Sequence, residues 1–154
     1  MLTEICGYLK NWFNRRPDGT DYPKYHGTFK VEAGNLTWES GAELPLQTGQ
    51  YFRILGSISN MGVFQWPAKL KDEVFEGDIW SMAVPVDVIA LAKEIEDWNE
   101  IYGKATSAAM SPFTAESFAV YSYTKASGRN ADSSSAGVSW MDVFGSRLSR
   151  YKKL

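Results

Sequence analysis

The sequence predicts an α+β protein: a small helical bundle interrupted by an antiparallel β-sheet or open-barrel insertion. Apolar residues recur at helical spacing near both ends, short β-branched and aromatic runs alternate with turn residues between them, and the period changes near Gly27 and again near Pro85. The 154 residues suffice for one domain or one domain with a sizeable insertion, and the 44% hydrophobic and 14% aromatic content supports a real core and excludes a disordered chain. The expected division is 1–26, an N-terminal helix and linker; 27–84, a β insertion; and 85–154, a helical core with an extended segment and a C-terminal helix.

The first segment, Thr3 to Phe13, puts Leu2, Ile5, Leu9, Trp12 and Phe13 on one helical face, with Thr3 as N-cap. Asn14 to Gly19 stops it, because Pro17 cannot continue the ladder and Asp18-Gly19 favours a turn. Five strand-like runs follow: Thr28 to Ala33, Leu36 to Trp38, Tyr51 to Ile58, Val63 to Trp66 and Ile79 to Val84. Gly34-Asn35, Ser59 to Gly62 and Glu76-Gly77-Asp78 supply hairpin-type turn signals, and Gly56 suggests a bulge. Pro67 and Pro85 close the last strands by removing a ladder donor.

Pro85 and Asp87 start the clearest helix, Val86 to Tyr102, whose apolar stripe is Val88, Leu91, Ala92, Ile95, Trp98 and Tyr102 and whose C-terminal cap is Gly103. Ser117 to Thr124 has the composition of a strand, and the Gly/Ser-rich stretch Ser127 to Gly137 that of a mobile loop. A capping box, Ser139 with Asp142, opens the last helix, where Trp140, Met141, Phe144, Leu148 and Tyr151 are expected to face the core.

Most catalytic signatures are missing. There is no dinucleotide or phosphate-binding glycine motif, no H-E-x-x-H and no G-x-S-x-G. One cysteine excludes a disulfide framework and a multi-cysteine metal site, and Cys6 has only His26 as a potential base; an ordinary buried thiol and a loop histidine are the expected readings. Glu94 and Asp97 have the spacing of a cation-binding pair and are expected to be simply solvated. Asn35-Leu36-Thr37 matches the glycosylation sequon by chance. No cofactor is expected. No apolar run approaches the roughly eighteen residues of a membrane span, and the N-terminus lacks a signal peptide's basic start, so an intracellularly assembled protein is expected.

The distribution of charge says more than its total of −2. Lys71 to Glu100 holds nine acidic and two basic residues, a net of −7 that leaves +5 for the remainder. Arg147, Arg150, Lys152 and Lys153 crowd the C-terminal helix. Opposite poles suit contacts between copies or docking on a partner, and the net negative charge argues against a free DNA-binding domain.

The proline-started Val-Pro-Val-Asp-Val-Ile helix, the segment Glu116 to Thr124 (ESFAVYSYT) and the closing Arg147-Leu148-Ser149-Arg150-Tyr151 together resemble the head–tail connector (adaptor) proteins of tailed bacteriophages and prophages. The resemblance covers about Ala83 to Leu154. It departs from the family pattern at Ala119-Val120, where a Gly-Asp pair is usual, and the β insertion has no counterpart in the mostly helical minimal members. It implies a connector-like core at 85–154 and a structural virion protein, not an enzyme: a homo-oligomeric ring, commonly of about twelve copies, beneath the portal protein. Such a ring extends the DNA channel, lets DNA pass without sequence-specific binding, and docks a stopper, tail-completion or other neck protein. The implied location is the capsid–tail junction of the virion, after synthesis in the host cytoplasm, with no membrane partner. On this reading Arg147, Arg150, Tyr151, Lys152, Lys153 and Leu154 dock on the portal. Ser117, Phe118, Val120, Tyr121, Ser122 and Tyr123 form the contact between subunits. Glu94, Glu96, Asp97 and Glu100 line the channel, where negative charge repels DNA phosphates.

Two other expectations follow from the β insertion. Its strand content suits a head-completion (stopper) or tail-completion protein. Its aromatics Tyr51, Phe52, Phe64 and Trp66 either line a peptide- or ligand-binding groove or form core, and core is the expected role.

Overall fold

A computed structural model describes residues 1–103 and 138–153, and the backbone of 115–118 and 121–124. The fold is α+β, with three α-helices and a five-stranded antiparallel half-barrel sheet among the described residues. The elements are α1 (Leu2–Leu9), β1 (Lys24–Glu32), β2 (Asn35–Trp38), β3 (Tyr51–Leu55), β4 (Gly62–Gln65), β5 (Glu73–Met82), α2 (Val86–Tyr102), β6 (Ala115–Phe118), β7 (Tyr121–Thr124) and α3 (Trp140–Leu148), with a 3-10 turn at Ser149–Tyr151. Two compact units result, Leu2–Val86 and Asp87–Leu154, the latter also counting Met1. The first groups α1 with the sheet, where the sequence sets 1–26 apart.

α1 ends a turn earlier than its apolar spacing predicts. Lys10 turns to φ 51 and Phe13 to φ 48, and the Asn11 side chain accepts the Phe13 N–H at 3.0 Å, an alternative to the helical ladder. Thr3 lies within the helix, not at its cap; its hydroxyl accepts the Val63 N–H at 3.0 Å and ties α1 to β4.

The sheet order is β2-β1-β5-β3-β4. β1 begins at Lys24, so His26 is a strand residue opposite Asp78 and not a loop residue. β5 is the other departure: it runs unbroken through Glu76-Gly77-Asp78, which reads in sequence as a turn. Gly77 lies opposite Gly27, and a Cβ on Gly77 would collide with the Leu55 carbonyl oxygen. That glycine serves close backbone approach between neighbouring strands. Its counterpart Gly56, at φ 86, ends β3 and turns the chain; it is not a bulge within a strand.

Alternation along the strands sends Phe29, Val31, Phe52, Ile54, Phe75 and Ile79 into one core with Leu36, Leu44 and Leu70. Phe29 and Phe75 stack at 5.5 Å, and Phe52 meets Phe64 at 5.9 Å and Trp66 at 6.1 Å. Phe52 is fully buried and Phe64 and Trp66 pack against it, so these aromatics are core and its margin.

In the second unit α2 spans Val86–Tyr102 with Val88, Leu91, Ala92, Ile95 and Trp98 buried. α3 buries Trp140, Phe144 and Leu148, while Met141 is 45% exposed and lies off that face. The predicted capping box forms: Ser139 Oγ accepts the Met141 N–H at 3.2 Å, and Asp142 Oδ2 accepts the Ser139 N–H at 2.9 Å. Ser117 to Thr124 is two strands and not one, β6 and β7, paired antiparallel with Ser117 opposite Ser122 and Phe118 opposite Tyr121. The expected loop at Ser127 to Gly137 lies outside the described residues.

Candidate functional site

The C-terminal unit concentrates the charged candidates. On α2, Asp87 and Glu94 lie seven residues apart on one stripe, and on α3 and the following turn Arg147 and Arg150 lie three apart. The two stripes meet. Arg147 donates to both Glu94 carboxylate oxygens, at 2.7 and 3.2 Å, a bidentate pair. Asp87 Oδ2 accepts from Arg150 at 3.3 Å and from the Tyr151 hydroxyl at 3.1 Å. Asp87, Ala90, Leu91, Glu94, Ser146, Arg147 and Arg150 line a cleft of about 500 Å³ between these elements.

The two sequence-predicted poles are thus partly joined. Arg147, Arg150 and Tyr151, expected to dock outward, hold Glu94, expected to line a channel, and Asp87, which was not among the expected site residues. Glu96, Asp97 and Glu100 are exposed on α2, with Glu96 3.8 Å from the Met1 ammonium, and Lys152 and Lys153 are exposed beyond α3. Ser117, Phe118, Tyr121, Ser122 and Tyr123 fall on β6 and β7. Val120 and Leu154 lie outside the described residues. Behind the charged surface, Trp98 packs edge-on to Phe144 at 6.2 Å, and its indole N–H has no acceptor among the described residues.

Two further polar constructions lie in the β unit. Arg53 on β3 is half-buried, its guanidinium 3.3 Å from the Trp12 ring centroid and 5.3 Å from that of Trp80; Lys24 covers Trp80 at 4.7 Å. Register explains the row, since Arg53 and Lys24 both stand opposite Trp80 on neighbouring strands. The early end of α1 frees Trp12 to join it.

The second is a latch on Glu73, at the start of β5. Its carboxylate accepts from Ser57 Oγ at 2.5 Å, the Ile58 N–H at 2.9 Å, the Ser59 N–H at 3.2 Å and Asn60 Nδ2 at 3.2 Å. Asn60 in turn donates to the Lys71 carbonyl at 2.9 Å and accepts the Lys71 N–H at 2.8 Å. The Ser57 hydroxyl, followed by the loop N–H groups, holds the Glu73 carboxyl below its ordinary range. Sequence reasoning missed this latch because nothing local marks a strand-opening glutamate as the acceptor for a loop thirteen to sixteen residues earlier.

The two catalytic candidates sit in unlike settings, Cys6 buried and His26 exposed. Cys6 is fully buried, and burial pushes its thiol up to about 11 against the opposing charge of Arg53. The exposed His26 ring meets Asp78 through Nδ1 at 2.9 Å. Among the described residues no three of His, Cys, Asp and Glu form a metal-holding group, and no helix is long and apolar enough to cross a membrane. Comparison with protein-family models, curated proteins and solved structures finds no match to this chain.

Proposed function

We propose that the chain is a structural virion protein, a head–tail adaptor that forms a ring beneath the portal, extends the DNA channel and carries the next neck or tail component. The observation that supports this reading is the layout of the C-terminal half: the helix α2 that follows Pro85, the paired strands 115–118 and 121–124, and the capped helix α3 with the turn after it, which carry Arg147-Leu148-Ser149-Arg150-Tyr151. Those are the stretches on which the resemblance to connector proteins rests.

The ion pairs refine the assignment of roles. Glu94 is engaged with Arg147 and Glu96 lies 3.8 Å from the Met1 ammonium, so the channel-facing charge falls to Asp97 and Glu100, and Lys152 and Lys153 carry the positive charge toward the portal. An exposed acidic surface that outnumbers the single lysine of α2, Lys93, suits a surface that DNA slides past. The five-stranded half-barrel favours a second reading, a stopper or tail-completion protein one step further from the capsid. Direct binding separates the two. Co-expression with the portal protein of the same genome should yield a stable portal-bound ring, weakened when Lys152 and Lys153 are both changed to Glu. Binding to the tail component with none to the portal would replace the adaptor by the second reading.

A further inference from the structure

We propose that Arg53 is the receiving group of a carboxylate-binding site on the β unit, and that it takes the side chain of an aspartate or glutamate on a partner polypeptide. Its guanidinium lies 3.3 Å from the centroid of the Trp12 ring and 5.3 Å from that of Trp80, so contact with two indoles restricts its position before any ligand arrives. Yet among the described residues no oxygen accepts from it: Arg53 has neither a hydrogen bond nor an ion pair. Two acidic residues that border the row by sequence or register are engaged elsewhere. Asp21 pairs with Lys24 at 2.7 Å and with Arg15 at 3.6 Å, and Asp78, two residues before Trp80 on β5, meets His26 at 2.9 Å. Cys6, whose charge would also reach Arg53, keeps its proton at neutral pH because burial pushes its thiol up to about 11.

A guanidinium carries five N–H donors and no acceptor, in a planar fork that matches the two oxygens of a carboxylate. Packing against the rings strips part of its water, and that burial pulls the Arg53 pKa below its ordinary value. Desolvation and ordering are therefore in place in the free protein, and a carboxylate would supply the missing counter-charge without displacing an internal bond. Arg147 shows the contrast, since Glu94 of the same chain already fills its fork. A carboxylate fits better than a nucleic-acid backbone. A run of phosphates calls for several unpaired cations, and here Arg15 and Lys24 share Asp21. The Trp80 ring carries Lys24 at 4.7 Å and Arg53 at 5.3 Å and is not left open to a base. The site lies wholly within Leu2–Val86 and is independent of the virion reading.

Nuclear magnetic resonance on the full chain tests it. The probe is the end-capped peptide Gly-Gly-Glu-Gly-Gly, with Gly-Gly-Gln-Gly-Gly as the neutral control. The Arg53 Nε–H resonance, assigned by its loss in Arg53→Lys, should move saturably with the glutamate peptide in the millimolar range and stay in place with the glutamine peptide. Arg53→Lys keeps the charge without the fork, and should weaken binding several-fold as read on the Trp12 and Trp80 indole resonances. Trp12→Leu, which removes one wall, should weaken it similarly while the amide shifts of the sheet are retained. No saturable shift with the glutamate peptide, an equal shift with the glutamine peptide, or unchanged affinity in Arg53→Lys would overturn the proposal. An oligothymidylate that moves the Arg53 resonance at lower concentration than the peptide would also overturn it, by assigning the site to nucleic acid.

Discussion

Arg147 grips both oxygens of Glu94 across 53 residues of sequence, yet both side chains are about two-fifths exposed. Pairs in that setting contribute little, about 0.2–1 kcal/mol. A double-mutant cycle with Arg147→Ala and Glu94→Gln, read by urea unfolding, should therefore give a coupling within that range that shrinks in high salt; coupling well above it would mean that the pair is a structural clamp. Cys6 behaves differently because it is buried. Its folded value of about 11 exceeds the ordinary 9.0, so the folded state holds the proton more tightly. That stability is fully present below pH 9.0 and is lost as pH rises toward about 11. Unfolding curves across this window should steepen by up to about 1.4 kcal/mol per pH unit from this thiol, and Cys6→Ala should remove that part of the slope. An identical alkaline slope in Cys6→Ala would contradict the burial argument. The buried thiol was legible from a cysteine on an apolar helix face; the pairing of Arg147 with Glu94 was not, because composition shows where charges cluster but not which ones meet after folding.

The β3–β4 loop tests the element scale. Glu73→Gln keeps the size of the side chain but replaces one acceptor oxygen with an NH₂ group that faces loop donors. Hydrogen exchange at Ile58 and Ser59 should accelerate about tenfold in this variant, the loss of a charge-assisted bond, with the β1–β5 ladder protected as before. Since the Glu73 carboxyl is held below its ordinary 4.5, wild-type protection is complete above that pH and fails as pH falls through the lower folded value. Unchanged exchange in Glu73→Gln would show that the loop is ordered by something else. Elements announced by local chemistry were readable in the sequence: Pro85 with Gly103 bounds α2, and the Ser139–Asp142 box starts α3. Elements decided by distant partners were not. Gly77 looks like a turn until Leu55 is placed beside it, and α1 looks longer until Trp12 is stacked on Arg53.

Taken whole, the chain joins a sheet unit with a loop latched by Glu73 to a unit whose helices hold ion pairs across their facing stripes. The α+β class and most of the strands were readable from periodicity alone. The candidate site was readable only in part: the acidic and basic stretches were visible, and their mutual neutralisation at Glu94 and Asp87 came from the fold. The exposed Asp97 and Glu100 of α2, in no ion pair among the described residues, fit the proposed surface turned toward DNA in a multi-copy assembly. The proposed role is contact between proteins at the neck of a virion. Cryo-electron microscopy of particles made by the genome that encodes this chain tests that claim most directly. The account predicts a ring of this chain between portal and tail, with α2 bordering the DNA path. Particles with intact necks in which the chain is missing, or sits anywhere other than the capsid–tail junction, would contradict it.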